Sequence, residues 1–344
     1  MQKTRTAQNR VSKKSAATLG EHRIIEIIQS HLTMMPKMAV PFGDDVAAVN
    51  LGDGLVAVLK TDMLVAQTDV PPKMTLYQAA RKAIVMNVSD FASKGVQPKA
   101  ALVALGLPKN LLQKDIEEIA DGLNAGAQQY GAYVVGGDTG EASDLVVSVS
   151  LYGTAEKKAL LLRSGAKAGD VLAVTGMFGK SAAGLRLLLD NRCSADADIR
   201  LALEDAVLMP KARLAEGLAL ASCGAVSASI DSSDGLAWSL HELAKMSNIG
   251  FLVEEVPVAT EVRRFAELNG LDAAELALYG GEEYELVVTV KPEGFAVAKA
   301  AVEKVGGCLL PIGKVTAEQG IFLDANGKRR AIEARGWEHF KTKI

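Results

Sequence analysis

The chain has 344 residues, 49% of them apolar and 23% charged, with a net charge of −3. This length exceeds one ordinary core and favours two domains, and the composition is that of a globular protein. The slightly acidic balance excludes a general nucleic-acid binder, which needs a basic face against phosphates, and no run approaches the roughly 18 apolar residues of a membrane span.

Residues 1–19 carry Lys3, Arg5, Arg10, Lys13 and Lys14 without an acid. Lacking an apolar segment, they read as a basic flexible tail and not as a secretory signal. Ile24, Ile25, Ile27, Ile28 and Leu32 give a helical stripe over residues 22–32. Beyond Pro36 and Pro41 comes Gly43-Asp44-Asp45, then strands over residues 46–51 and 55–59. The Gly52-Asp53-Gly54 turn between them predicts a hairpin that brings Asp45 and Asp62 to one end of a sheet. Thr61 and Asp62 fall where the second strand is expected to leave the core.

Residues 75–94 predict a long helix with Thr75 as N-cap, Gly95 beyond its end, and Asn87 and Asp90 on one side. A strand follows at 100–105, a helix at 111–130, a strand from Tyr133 running into Gly136-Gly137-Asp138-Thr139, and a strand at 145–151. Residues 153–163 look like a crossover between domains. The second half predicts strands at 170–175, 251–254, 285–290 and 309–315 and helices at 211–221, 235–246 and 295–305, with a polar loop at 191–198. Irregular alternation in both halves predicts α+β domains over residues 20–155 and 156–344.

Acidic residues punctuate these elements: Asp45, Asp62, Asp90, Asp138, and Asp231 with Asp234 in an Asp-Ser-Ser-Asp-Gly run. Taken singly, each is ordinary turn chemistry. Together they are what a site for several magnesium ions requires, since hard cations take oxygen ligands. Asp90 stands out, because a carboxylate among Val88, Phe91 and Ala92 needs a charged partner. Arg163 beside a glycine turn suits a phosphate clamp or an ordinary ion pair. The Thr175–Lys180 stretch lacks the spacing of a phosphate-binding P-loop. Cys193, Cys223 and Cys308 lack metal-ligand spacing, and none of His22, His31, His241 and His339 lies in an acidic motif, so a zinc site or a catalytic triad is not expected.

The ordered series GDD, TDMLV, NVSDFASKG, GGDT, RSGAKAGD, DSSDGL and GGEEYEL closely resembles the thiamine-monophosphate kinases. These belong to a superfamily with aminoimidazole ribonucleotide synthetase, selenophosphate synthetase and the hydrogenase-maturation protein HypE. The resemblance implies the aminoimidazole ribonucleotide synthetase-like fold, with an N-terminal ferredoxin-like sheet that pairs in a homodimer. It implies ATP- and magnesium-dependent transfer of a γ-phosphoryl group onto thiamine monophosphate, in the cytoplasm. By motif, Asp45, Thr61, Asp62, Asp90, Asp138, Asp231 and Asp234 correspond to magnesium ligands. Gly137, Asp138, Arg163 and Ser233 correspond to ATP contacts, and Asp69, Glu282 and Trp337 to contacts with thiamine monophosphate. No general base is implied, because an anionic phosphate acceptor needs none. Lys60 stands where many members have Ser or Thr, Asp69 replaces a His common in bacterial members, and GGEEYEL replaces GGEDYEL; the variants look archaeal. A related synthetase-like enzyme and a non-catalytic nucleotide or thiamine-phosphate binder are the alternatives.

Overall fold

The computed structural model describes residues 15–325 and 327–340, which divide between two units. The smaller gathers the N-terminal residues through Pro36 with those from Trp337 onward. There Ala16–Leu19 (α1) leads through Gly20 into Glu21–His31 (α2), the predicted first helix. The His339 amide donates to the Glu21 carboxylate at 3.2 Å. Most of the predicted basic tail, residues 1–14, lies outside the described residues.

The larger unit, Lys37–Gly336, opens with the predicted hairpin, Ala47–Gly52 (β1) and Leu55–Val65 (β2). Here the expectation needs correcting: β2 continues to Val65, so Thr61 and Asp62 lie inside a strand and not at its exit. Ala66–Asp69 (α3) leads to Leu76–Ser93 (α4). The Thr75 hydroxyl accepts the Gln78 amide at 3.2 Å while the Gln78 side chain accepts the Thr75 amide at 2.9 Å. This reciprocal cap contributes about 1 kcal/mol. Gly95, at φ +65°, takes the left-handed position that ends the helix.

Pro98–Leu107 (β3), Gln113–Gln129 (α5), Tyr133–Glu141 (β4) and Val146–Glu156 (β5) complete a five-stranded sheet in the order β1-β2-β5-β3-β4. β2 pairs with β5 along its whole length, which is why it outruns the apolar stretch that announced it. The pleat sorts its residues: Val56, Val58 and Leu64 are buried against α4, while Leu55, Leu59, Thr61 and Met63 are exposed on the other face.

The remaining elements are Val171–Val174 (β6), Lys180–Leu189 (α6), Ala197–Leu208 (α7), Leu214–Cys223 (α8), Val226–Asp231 (β7), Leu236–Ser247 (α9) and Gly250–Val253 (β8). Thr260–Asn269 (α10), Ala273–Tyr279 (α11), Leu286–Val290 (β9), Phe295–Lys304 (α12), Leu310–Thr316 (β10), Gly320–Ala325 (β11) and Lys328–Ala331 (β12) follow. The strands form a seven-stranded sheet in the order β12-β11-β8-β10-β6-β9-β7, antiparallel except for β8 with β11. Both sheets mix pairings, as the α+β expectation requires. Three helices depart from the sequence reading, among them α11, which Asp272 caps by accepting the Ala274 and Glu275 amides. α10 arises in a polar stretch because Val262, Phe265 and Ala266 alone face inward, and α7 begins inside the predicted loop, anchored by Ile199, Leu203 and Val207.

Helix α4 is the keystone of this unit. One side packs Ala79, Ala83, Ile84, Val88 and Phe91 into the core of the first sheet. α8 crosses it so closely that a Cβ on Gly217 would lie 2.0 Å from the Ala92 carbonyl. Arg81, Lys82, Asn87, Ser89, Asp90 and Ser93 are therefore buried as well. Polar groups withdrawn from water need partners, and where α4 finds them defines the site.

Candidate active site

Four carboxylates meet at the inner side of α4. Asp45 and Asp90 come from the first part of the unit, and Asp231 comes from the end of β7. One oxygen from each of these three lies within 4.8 Å of the others, and all three residues are buried. Asp62 joins them through its neighbour, for on β2 the inward face carries Lys60 and Asp62 in succession. The Lys60 ammonium bridges Asp62 at 3.1 Å and Asp90 at 3.0 Å.

The charges are compensated unevenly. Asp45 accepts from Lys94 at 2.8 Å, from the Ser93 hydroxyl at 2.6 Å and from the Arg163 guanidinium. Burial opposes its charge, but Lys94 and Arg163 overcome this and hold the carboxyl below the usual range. Lys94 is itself fully buried, reaching Asp44 at 2.6 Å and the Ser229 carbonyl at 2.8 Å, so it joins the Gly-Asp-Asp segment to β7. Asp231 has no cation in direct contact among the described residues, where the Ser89 hydroxyl is the one side chain that donates to it, at 2.7 Å. Burial, followed by the Asp45 charge, pushes Asp231 up to about 6. Burial raises Asp90 as well, against the pull of Lys60. Lys60 also loses charge stability by burial, yet Asp90 and Asp62 hold it above the ordinary lysine value.

An all-oxygen donor set with unrelieved negative charge fits a hard divalent cation. The Ser232 hydroxyl, buried beside Asp231, has no hydrogen-bond partner within the described chain, which leaves one further oxygen free there.

A second constellation sits where the Asp-Ser-Ser-Asp-Gly turn meets the Gly280–Glu285 segment. The Glu282 amide donates to the Ser233 carbonyl at 2.6 Å, Tyr284 to Ser232 at 2.9 Å, and Ser232 to Glu285 at 2.8 Å. Glu282 and Tyr284 adopt φ of +63° and +55°, a left-handed backbone costing about 1–2 kcal/mol at each non-glycine residue. The fully buried Lys82 ammonium lies 2.5 Å from the Glu282 carboxylate and donates to the Asp69 carbonyl at 3.0 Å. The Asp69 carboxylate accepts the Val65 amide at 2.7 Å. Lys82 thus joins two residues expected to contact the phosphate acceptor.

Other expected site residues fall elsewhere. Thr61 faces the opposite side of the sheet from Asp62, its hydroxyl donating to the Val149 carbonyl at 3.0 Å. Asp138 is exposed on edge strand β4, in register with Ala104 on that same outer face, and is not among the three converging carboxylates. Gly137 is needed beside it, because a Cβ there would lie 1.8 Å from the Val103 carbonyl. Ser233 and Asp234 occupy the turn before α9, Ser233 exposed and Asp234 half-buried. Arg163 is engaged by Asp45 and by the Gly43 carbonyl at 3.2 Å. Trp337 belongs to the smaller unit, where its ring meets His339 edge-on at 6.1 Å between centroids. Lys82, Lys94, Asp44 and Ser89 were not picked out in the sequence; for Lys82 the signal was a cation inside a helical apolar stripe.

Comparison with known proteins bears on this geometry. Residues 43–155 match the AIR synthase related protein family, N-terminal domain, and residues 167–326 match its C-terminal domain. The thiamine-monophosphate kinase of Nitrosopumilus maritimus is 35% identical over 94% of this chain and 99% of its own length. That of Pyrococcus horikoshii is 36% identical over 87% of this chain and 91% of its own. A solved structure, AaThiL complexed with AMPPCP and TMP, superposes with a TM-score of 0.83 at 30% identity, covering 96% of this chain and 99% of that one.

Proposed function

The chain belongs to the thiamine-monophosphate kinases of the AIR synthase related family, and from that premise we propose how its residues carry the reaction. It phosphorylates thiamine monophosphate with ATP. An oxygen of the acceptor phosphate bonds to the γ-phosphorus as the bond to the β-phosphate oxygen breaks, yielding thiamine diphosphate and ADP. Because the acceptor is already an anion, the protein's work is alignment and charge compensation. The observation that carries this reading is the convergence of Asp45, Asp90 and Asp231 within 4.8 Å at the inner side of α4.

These three carboxylates would hold magnesium, with Asp234 at the margin and Asp62 paired with Lys60, and the bound ions would supply neutralisation of phosphate charge. Gly137, Arg163 and Ser233 remain assigned to the nucleotide, whereas Thr61 and Asp138, which lie on the outer face of the sheet, are not assigned to the ions held by these three carboxylates. Asp69 and Glu282 are assigned to thiamine monophosphate, with Lys82 as the positioning residue between them. The first domain extends to about residue 155 and the second begins at 156. No helix among the described residues is long and apolar enough to cross a membrane, and a reaction that consumes ATP fits the cytoplasm. Purified chain incubated with ATP, magnesium and thiamine monophosphate should accumulate thiamine diphosphate, measured as its fluorescent thiochrome derivative. Folded protein that yields none would remove the reading.

The homodimer is assigned to the outer face of the five-stranded sheet. Leu59, Tyr152, Ala100 and Tyr133 lie in one row across four strands, with Leu102 in the next row of that face and Met63 in the row beyond it. Leu59, Met63, Leu102 and Tyr133 are 43%, 56%, 53% and 61% exposed. Large apolar side chains exposed together on one sheet face favour burial against a second copy. Leu59→Glu combined with Met63→Glu is expected to give a chain sedimenting at half the mass of the unaltered protein, by analytical ultracentrifugation. Unchanged mass would place the interface elsewhere.

A further inference from the structure

Two carboxylates of the site, Asp62 and Asp90, already hold a cation supplied by the chain. Lys60 leaves the middle of β2 on its inward face, its side chain only 19% exposed, with the ammonium 3.1 Å from Asp62 and 3.0 Å from Asp90. A surface lysine samples many rotamers; this one is fixed by two charged acceptors and by burial. Two carboxylate oxygens bridged by one small cation is also how a divalent ion would be held there, at metal–oxygen distances of about 2.0–2.1 Å for magnesium. The ammonium nitrogen occupies that bridging position, so a metal ion and Lys60 exclude one another between Asp62 and Asp90.

The remaining charge points the same way. Asp45 has Lys94 and Arg163, whereas among the described residues Asp231 is met directly by the Ser89 hydroxyl alone. Once Lys60 is counted, the position left for an external cation is the one bounded by Asp45, Asp90 and Asp231. The geometry points to Lys60 as a tethered cation that takes the place of one divalent ion between Asp62 and Asp90, leaving the chain to load one ion fewer than the same site without the lysine. This rests on reading the site as one that binds divalent ions with a nucleotide.

The test counts Mn2+ bound per chain by electron paramagnetic resonance, with a non-hydrolysable ATP analogue and no thiamine monophosphate. Lys60→Ser, which removes the ammonium and offers a hydroxyl, is expected to bind one Mn2+ more than the unaltered chain. Lys60→Arg is expected to keep the original number. Equal counts for the unaltered protein and a folded Lys60→Ser variant would overturn the inference. A second measurement does not depend on that variant folding: Asp62→Asn in the otherwise unaltered chain should leave the Mn2+ count unchanged, because Lys60 already occupies that carboxylate. A count lower by one would show that Asp62 ligates metal despite Lys60, and would equally overturn it. Both counts are read without turnover, so failure to form thiamine diphosphate would remove the kinase reading and leave the ion count to be judged separately.

Discussion

Asp231→Asn is expected to lower kcat for thiamine diphosphate formation by about a thousandfold while making the free protein more stable at pH 7. The two effects share one cause. Burial and the Asp45 charge raise the Asp231 carboxyl from 3.8 to about 6 in the fold, and one hydroxyl from Ser89 is its only side-chain donor among the described residues. A group whose folded value is raised stabilises the fold while it is protonated, below about pH 4, and loses that contribution as the pH climbs through 6. At pH 7 the charged carboxylate therefore costs on the order of 3 kcal/mol when no cation sits against it. Asparagine keeps the shape and an acceptor for Ser89 but carries no charge. Its melting temperature at pH 7 should rise by about 2–4 °C, and the fall in stability between pH 4 and 6 that this group causes in the unaltered protein should be reduced. Thermal melts across pH, paired with kcat at saturating substrates, check both arms. A variant that loses activity together with stability would mean that Asp231 is a packing residue.

That opposition between function and stability explains how much of the site could be read in the sequence. Asp45, Asp62, Asp90 and Asp231 stand out because carboxylates beside apolar runs conflict with local burial, and such conflicts accumulate at functional sites. Thr61 was grouped with Asp62 by adjacency, but successive residues of a strand face opposite sides, and the apolar run alone did not reveal that β2 extends past Asp62. The hairpin and α4 were legible because an Asp-Gly turn and a Thr/Gln capping box are local signals. Lys94 was not: a lysine at a helix C-terminus is ordinarily a solvated complement to the helix dipole. Its burial comes from β7, whose Ser229 carbonyl it meets, and nothing near Lys94 in sequence encodes that approach. α10 was hidden for the converse reason, since three inward residues suffice to hold a helix whose other positions are mostly polar.

Lys82→Met is expected to raise the KM for thiamine monophosphate by about ten- to a hundredfold, with the KM for ATP changed by less than about twofold. Methionine nearly matches the lysine side chain in length, so the packing within α4 is retained and the loss is of charge and donor. What disappears is the contact at 2.5 Å to Glu282 and the donor to the Asp69 carbonyl at 3.0 Å. Glu282 sits in left-handed backbone, a conformation that persists only while its surroundings hold it. The Ser233 carbonyl holds its amide and the Lys82 ammonium holds its carboxylate. Without the second restraint the carboxylate, one-third exposed, turns toward water and no longer presents a fixed charge to the cationic substrate. Steady-state kinetics with each substrate varied in turn separates the cases, because collapse of the α4 junction would weaken ATP binding equally. Glu282→Gln should give a similar rise. The double variant should be no worse than the more damaged single one, since residues acting through one contact are not additive. Additive losses would mean that Lys82 and Glu282 meet the substrate independently, and that the buried ammonium reaches the phosphate itself instead of aiming its neighbour.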